Sequence, residues 1–182
     1  MSANLLQHPG KMHTLTDDLE SFLHVLGWMT LRYVPANDTY LAYQRGFDME
    51  AFDQHYQPQG RSGLGGYQKH LLLAGGKYPS LFFRPRCKTP LSTLLGELNK
   101  PFKSLYDPPT QEARRSVQIR PDNSDRELYQ LWDTVDQHDQ DILHLQSSAL
   151  FVNEMEKALV KDGWPTNDAA DLNLPIPSRA PY

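Results

Sequence analysis

The chain has 182 residues, 39% of them hydrophobic, a net charge of −4 with the signs mixed along its length, and a single cysteine, Cys87. That length and composition support one domain with a core, or one domain and a tail. They exclude a disulfide framework within the chain, and they offer no basic excess for nucleic acid or an anionic membrane.

The opening, MSANLLQHPGK, lacks the charged and then apolar regions of a secretory signal. The longest apolar run, Leu19 to Val34, carries Glu20, His24 and Arg32 and is shorter than the ~20 residues a bilayer requires. No membrane partner is expected, and the expected compartment is intracellular, cytoplasmic or nuclear.

The first strong element is His13 to Val34, HTLTDDLESFLHVLGWMTLRYV. Leu19, Phe22, Leu23, Leu26, Met29 and Tyr33 form a helical stripe, and Val25, Trp28 and Leu31 fill other faces. A helix apolar nearly all round belongs inside a core. The pattern therefore predicts a buried central helix over 13–34, stopped by Pro35. Asp17 fits an N-cap, with Glu20 three residues on closing a capping-box-like pair; Thr16 competes for the cap. Acidic residues here also suit the positive end of the helix dipole. Asp17 and Asp18 are about 100° apart around a helix, so they do not form a proton-sharing dyad.

Two strings in this region carry a family resemblance. MSANLL, a short spacer and HTLTDDLESFLHVLGWMTLRY together resemble the fungal-type protein kinase family. Asp-Asp-Leu-Glu-Ser is also similar to the same region of casein kinase I-like enzymes. The resemblance implies that 13–34 is helix F of a kinase C-lobe. Asp18 then falls on the aspartate whose carboxylate, in the family, accepts backbone N–H bonds from the catalytic loop. Ser2-Ala3-Asn4 falls where most protein kinases have Ala-Pro-Glu. Asn4 replaces the usual glutamate, which puts the family's Glu–Arg ion pair in doubt and favours a neutral hydrogen bond. The resemblance continues weakly through Pro90 to Leu95 and Phe102 to Tyr106. It returns at Asp162-Gly163-Trp164-Pro165-Thr166-Asn167-Asp168, where Trp164 occupies a family position.

The same resemblance implies what this sequence lacks. A protein kinase needs a Gly-rich loop, a strand lysine, a His-Arg-Asp catalytic loop and an Asp-Phe-Gly metal ligand. In family order these precede helix F, and neither a His-Arg-Asp nor an Asp-Phe-Gly string occurs in the chain. The implied reading is a catalytically inactive, pseudokinase-like C-lobe fragment. Intact relatives transfer a phosphoryl group from Mg-ATP to Ser or Thr; this chain is expected to bind no cofactor and to have no catalytic residue. A truncated gene model, an alternative start and a remnant all fit a chain beginning at Met1. The alternative functions are a stand-alone helical protein-interaction module and a non-functional remnant. Any partner, a protein or the absent kinase segment, is expected against the surface of helix 13–34.

Residues 35–66 read as irregular, with a mildly helical piece from Phe47 to Tyr56. The Gly63-Leu64-Gly65-Gly66 cluster lacks the Gly-Lys-Ser/Thr ending of a phosphate loop and reads as a plain loop. Tyr67 to Ala74 is a short helix candidate, and its Lys69 matches a family lysine with no assigned chemistry. Leu81-Phe82-Phe83 is apolar, and the basic patch Arg84 to Lys88 after it reads as solvated loop.

Thr89 caps a helix that carries Leu91, Leu94, Leu95, Leu98, Phe102 and Leu105 at helical spacing. Pro90 suits its first position, Pro101 would kink it, and Asp107-Pro108-Pro109 ends it. Residues 107–124 read as irregular and polar, and Arg114-Arg115-Ser116 as exposed loop. A helix starts near Leu128 and carries Leu128, Leu131, Trp132 and Val135. Another is predicted over Ile142 to Val160, closed by Gly163. Asp133, Asp136, Asp139 and Asp141 around His138 match no metal-ligand spacing and read as a solvated acidic face. Trp164 reads as a packing anchor.

The fold class is therefore mainly α, a truncated kinase C-lobe-like domain over residues 1–166. Residues 167–182 read as a Pro-rich tail, extended or disordered.

Overall fold

The computed structural model describes residues 1–8, 10–33, 66–75, 89–118 and 125–164. Among them lie α1 (Ala3–Gln7), α2 (Leu15–Tyr33), α3 (Tyr67–Ala74), α4 (Pro90–Tyr106), α5 (Gln111–Ser116), α6 (Arg126–His144) and α7 (Ala149–Leu159). The described residues contain no strand. The mainly α expectation therefore holds for them. Several expectations lie outside the described residues: the irregular region from 35 to 65, the helical piece Phe47 to Tyr56, the Gly63–Gly65 run, the segment 81–88 with Cys87, and the tail 167–182.

The sequence pattern points to α2 as the centre. The structure gives that place to α4, which packs against α2, α3, α6 and α7. Its leucines explain why. Leu94, Leu95, Leu98 and Phe102 are all buried, and they join Leu19 and Leu23 of α2, Leu73 of α3, Leu145 after α6, and Phe151 and Ala158 of α7 in one core. Phe151 meets Phe102 edge-on at 6.1 Å and Phe22 edge-on at 6.0 Å, the geometry aromatic quadrupoles prefer.

α4 begins as the sequence predicts. The Thr89 side chain accepts the N–H of Ser92, and Ser92 Oγ accepts the N–H of Thr89. That reciprocal box satisfies donors the first turn would otherwise leave open. The helix continues through Pro101, whose ring is buried, to Tyr106. Proline has no N–H, so the Glu97 carbonyl lacks its usual donor there.

α2 differs from its predicted form in two ways. Its start is set by Thr14 and Asp17. The Asp17 carboxylate takes the N–H of Thr14 at 2.9 Å and its hydroxyl at 2.6 Å. Asp17 thus closes the box from the third helical position and is not the N-cap. Thr16 is not a cap either; its hydroxyl donates to the Leu145 carbonyl at 3.2 Å. Moreover α2 is not buried all round. Leu15, Phe22, Val25 and Met29 are 40–59% exposed, with Leu19 and Leu23 in the core behind them.

Toward the C-terminus, three features differ from the expected pattern. The expected irregular stretch 107–124 contains α5, capped by the Thr110 side chain, with Glu112 in its first turn and Arg114 and Arg115 in its last. α6 is one helix across the polar segment 136–141, where a break was expected. The interruption falls at 145–148 instead, where Leu145 turns into the core and Ser147-Ser148 compete with helical bonding. α7 ends at Leu159, capped by Val160; Gly163, with φ of +102°, makes the following turn. That turn brings Trp164 back onto the core, and its indole N–H donates to the Ala158 carbonyl at 2.7 Å.

Candidate functional site

Among the described residues, the densest buried polar cluster joins α1, α2 and α4. It begins with two carboxylates one turn apart on α2. Asp17 is 1% exposed and Glu20 is 1% exposed, burial that acidic side chains reach only when fully partnered. Both are partnered by the N-terminal segment. Ser2 Oγ donates to Asp17 at 2.8 Å while accepting the N–H of Leu5. Glu20 Oε1 accepts the N–H of Ala3 at 2.6 Å. From α4, the Tyr106 hydroxyl donates to Glu20 Oε2 at 2.6 Å. From one turn on, His24 Nε2 lies 3.1 Å from Glu20 Oε1, a donor contact when that nitrogen carries the proton.

The charges are set by these contacts. Burial alone would raise the Asp17 carboxyl, but the Lys11 ammonium at 2.8 Å and the hydrogen bonds from Thr14 and Ser2 outweigh it and hold it far below the usual carboxylate range. Burial pushes His24 down, against the pull of Glu20, and favours the neutral ring. Burial and the Glu20 carboxylate together push the Tyr106 phenol well up.

Each shift has a sign in stability. His24 and Asp17 both titrate lower folded than unfolded, so the unfolded chain binds more protons in acid. Their stabilisation is present above the unfolded values, about 6.5 and about 3.9, and is lost as pH falls below each in turn. Tyr106 titrates higher folded, so its stabilisation is lost as pH rises above about 10. Urea unfolding across pH should show a two-stage acid decline. Asp17→Asn should shrink the lower stage sharply, with Asp139 keeping a small part of it; a lower stage that is undiminished in that variant would contradict the assignment.

The residues the resemblance singles out are placed as follows. Asp18 is exposed and lies 3.4 Å from the exposed His13 ring. It is Asp17, its neighbour, that holds the buried bonds. Asn4 Oδ1 lies 3.0 Å from His8 Nδ1 at the surface, one turn along the same helix. Trp164, beyond the end of α7, packs against the core and donates its indole N–H to the Ala158 carbonyl. The three are not brought together. Sequence reading also missed Tyr106 as the partner of Glu20, because the two are 86 positions apart and nothing local pairs them.

Two further features could bear function. The first is the outward stripe of α2, Leu15, Phe22, Val25 and Met29, with Asp18 on the same side. Its steps of seven, three and four residues keep it on one face. The second is a polar cleft of about 540 Å³ between α4 and α6, lined by Lys100, Lys103, Ser104, Asp133, His138 and Asp141 among others. The Asp141 carboxylate accepts Ser104 Oγ at 2.5 Å and Gln137 at 2.9 Å. Ser104 is thus bonded to a carboxylate and not to His138, so the three do not form a nucleophile–base–orienter relay. Across the outer wall, Arg114 of α5 binds Asp139, and that guanidinium, with His138, keeps the Asp139 carboxyl below its ordinary range.

Among the described residues no three His, Cys, Asp or Glu side chains are placed to hold a metal ion. No helix among them is long and apolar enough to cross a membrane. No protein-family model, curated protein or solved structure matches the chain.

Proposed function

We propose that this chain is a catalytically silent helical module, similar to the lower part of a protein kinase C-lobe, that presents the outer face of α2 to another protein segment. The carrying observation is the stripe of Leu15, Phe22, Val25 and Met29, each 40–59% exposed on a helix whose opposite side is core. Apolar rows of this kind on a soluble surface mark interaction sites. The kinase part of the reading rests on the Ser-Ala-Asn and Asp-Asp-Leu-Glu-Ser strings. It is consistent with an Asp18 carboxylate that stands in solvent while the rest of its turn is engaged. Phosphoryl transfer depends on positioning and metal-borne charge. The 182 residues contain neither a His-Arg-Asp nor an Asp-Phe-Gly string to supply them.

The purified chain should bind a hydrophobic dye or self-associate. The double variant Val25→Lys/Met29→Lys should abolish both, with a stability change of no more than about 0.5 kcal/mol, as for ordinary surface positions. A monomer with a sharp melt and no dye binding counts against the interaction reading. A rise in melting temperature with Mg-ATP overturns the silent-module reading.

A further inference from the structure

Between residues 15 and 30 of α2 the exposed positions are Leu15, Asp18, Phe22, Val25 and Met29, and every other position there is buried or half-buried. They recur at steps of three, four, three and four. Those steps are the seam of a coiled coil, repeating about every 3.5 residues and narrower than the apolar face of an ordinary surface helix. Leu19 and Leu23 hold the opposite side in the core, so the free strip is wide enough for one further helix. α2 runs on to Tyr33, and the next step of three falls on position 32, an arginine in the sequence.

Asp18 decides what can cover the strip. Its side chain is 63% exposed, and a covering helix would take the carboxylate out of water, which is costly without a cation. Its own surroundings offer little. Lys11 is held by Asp17, and the His13 ring, 3.4 Å from Asp18, is not a permanent cation. The occupant must therefore bring a cation to this end of the seam.

A second copy does so in one orientation. Parallel pairing would set Asp18 over Asp18 and Arg32 over Arg32. Antiparallel pairing matches position 22 with 25, 18 with 29 and 15 with 32 of the other copy. Cα–Cβ bonds tilt toward the N-terminus of their own helix, so positions 18 and 32 on opposed strands approach each other. A two-fold contact makes that pair twice. We propose that α2 is a dimerisation helix that pairs antiparallel with α2 of a second copy of this chain, Phe22 against Val25, with an Asp18–Arg32 ion pair at each end of the seam. The proposal rests on the reading of this face as an interaction surface and names its occupant.

Sedimentation equilibrium of the full chain tests it. The native chain should form a dimer as concentration rises. Asp18→Arg or Arg32→Asp sets like charges together and should weaken the dimer about tenfold or more, the scale of losing a charged hydrogen bond. The double variant Asp18→Arg/Arg32→Asp should recover most of that loss, and the two single variants should pair with each other when mixed. A dimer indifferent to Asp18→Arg overturns the pairing, as does a double variant no tighter than the singles. A native monomer that binds dye through Val25 and Met29 overturns the second copy as occupant and leaves the interaction reading standing, with another protein on the strip. A monomer that binds no dye overturns both, a segment of the chain itself then covering the strip. If Arg32→Asp does not fold, Asp18→Arg decides alone, since position 18 is exposed and an unchanged dissociation constant there sinks the pairing.

Discussion

Glu20→Ala should lower the unfolding free energy by about 3–5 kcal/mol, the cost of breaking a buried, hydrogen-bonded polar set by removing one member. The carboxylate is the only group among the described residues that takes the Ala3 N–H, the Tyr106 hydroxyl and the His24 ring at once. Its loss takes the carboxylate acceptor from the buried Ala3 N–H and the half-buried Tyr106 hydroxyl, and removes the contact to the His24 ring. Small domains have about 5–15 kcal/mol in total, so the variant should be close to unfolding at ambient temperature. Glu20→Gln keeps the shape and one acceptor oxygen and should lose distinctly less. Urea midpoints decide between them. An alanine variant within about 1 kcal/mol of the native chain would mean that water replaces the carboxylate and that the junction is not closed.

Phe102→Ala should cost about 3–5 kcal/mol by a different route, loss of burial and a residual cavity. Phe102 has no exposed surface and stands where α4 meets α7, edge-on to Phe151. Phe102→Leu keeps most of the volume and should cost less than half as much. Equal costs for the two would place the energy in the ring–ring contact, since leucine restores volume but not the aromatic edge. A loss under about 1 kcal/mol for the alanine variant would show that the core collapses around the gap.

These positions also show how much was legible in the sequence. Spacing alone gave the helices at 13–34, 67–74 and 89–106 nearly to the residue, because each has an apolar period and a capping residue or proline at its edge. α5 was missed although Thr110, Glu112 and Arg114 carry its start and end signals; a six-residue helix with no buried side chain leaves no apolar period to read. The break at 145–148 is not legible because the acid-rich run before it has no apolar period; that run reads as a solvated acidic face, whereas the structure continues α6 through it and buries His138 and Asp141.

The candidate site was legible only in part. Composition marked Asp17, Asp18 and Glu20 as unusual, yet which of the two aspartates is buried depends on where the helix begins, and one residue of shift exchanges them. Thr14, with no apolar signal of its own, fixes that start. The partners of Glu20 and Asp141, Tyr106 and Ser104, lie 86 and 37 positions away. Such contacts exist only after the helices have packed. Likewise the exposure of Phe22, Val25 and Met29 cannot be read from their chemistry, which is that of core residues.

The hydrogen bond from Thr16 to the Leu145 carbonyl spans 129 positions. It ties the first turn of α2 to the corner between α6 and α7, so the two ends of the described chain are stitched together late. The α6–α7 pair meets α4 over much shorter loops, and closing a short loop costs less chain entropy than closing a long one. The C-terminal helices around α4 should therefore assemble first, with α1 and α2 docking onto them as a final step. During synthesis, residues 1–33 leave the ribosome long before their seat on α4 does. During that interval the apolar stripe and the two carboxylates of α2 face solvent together.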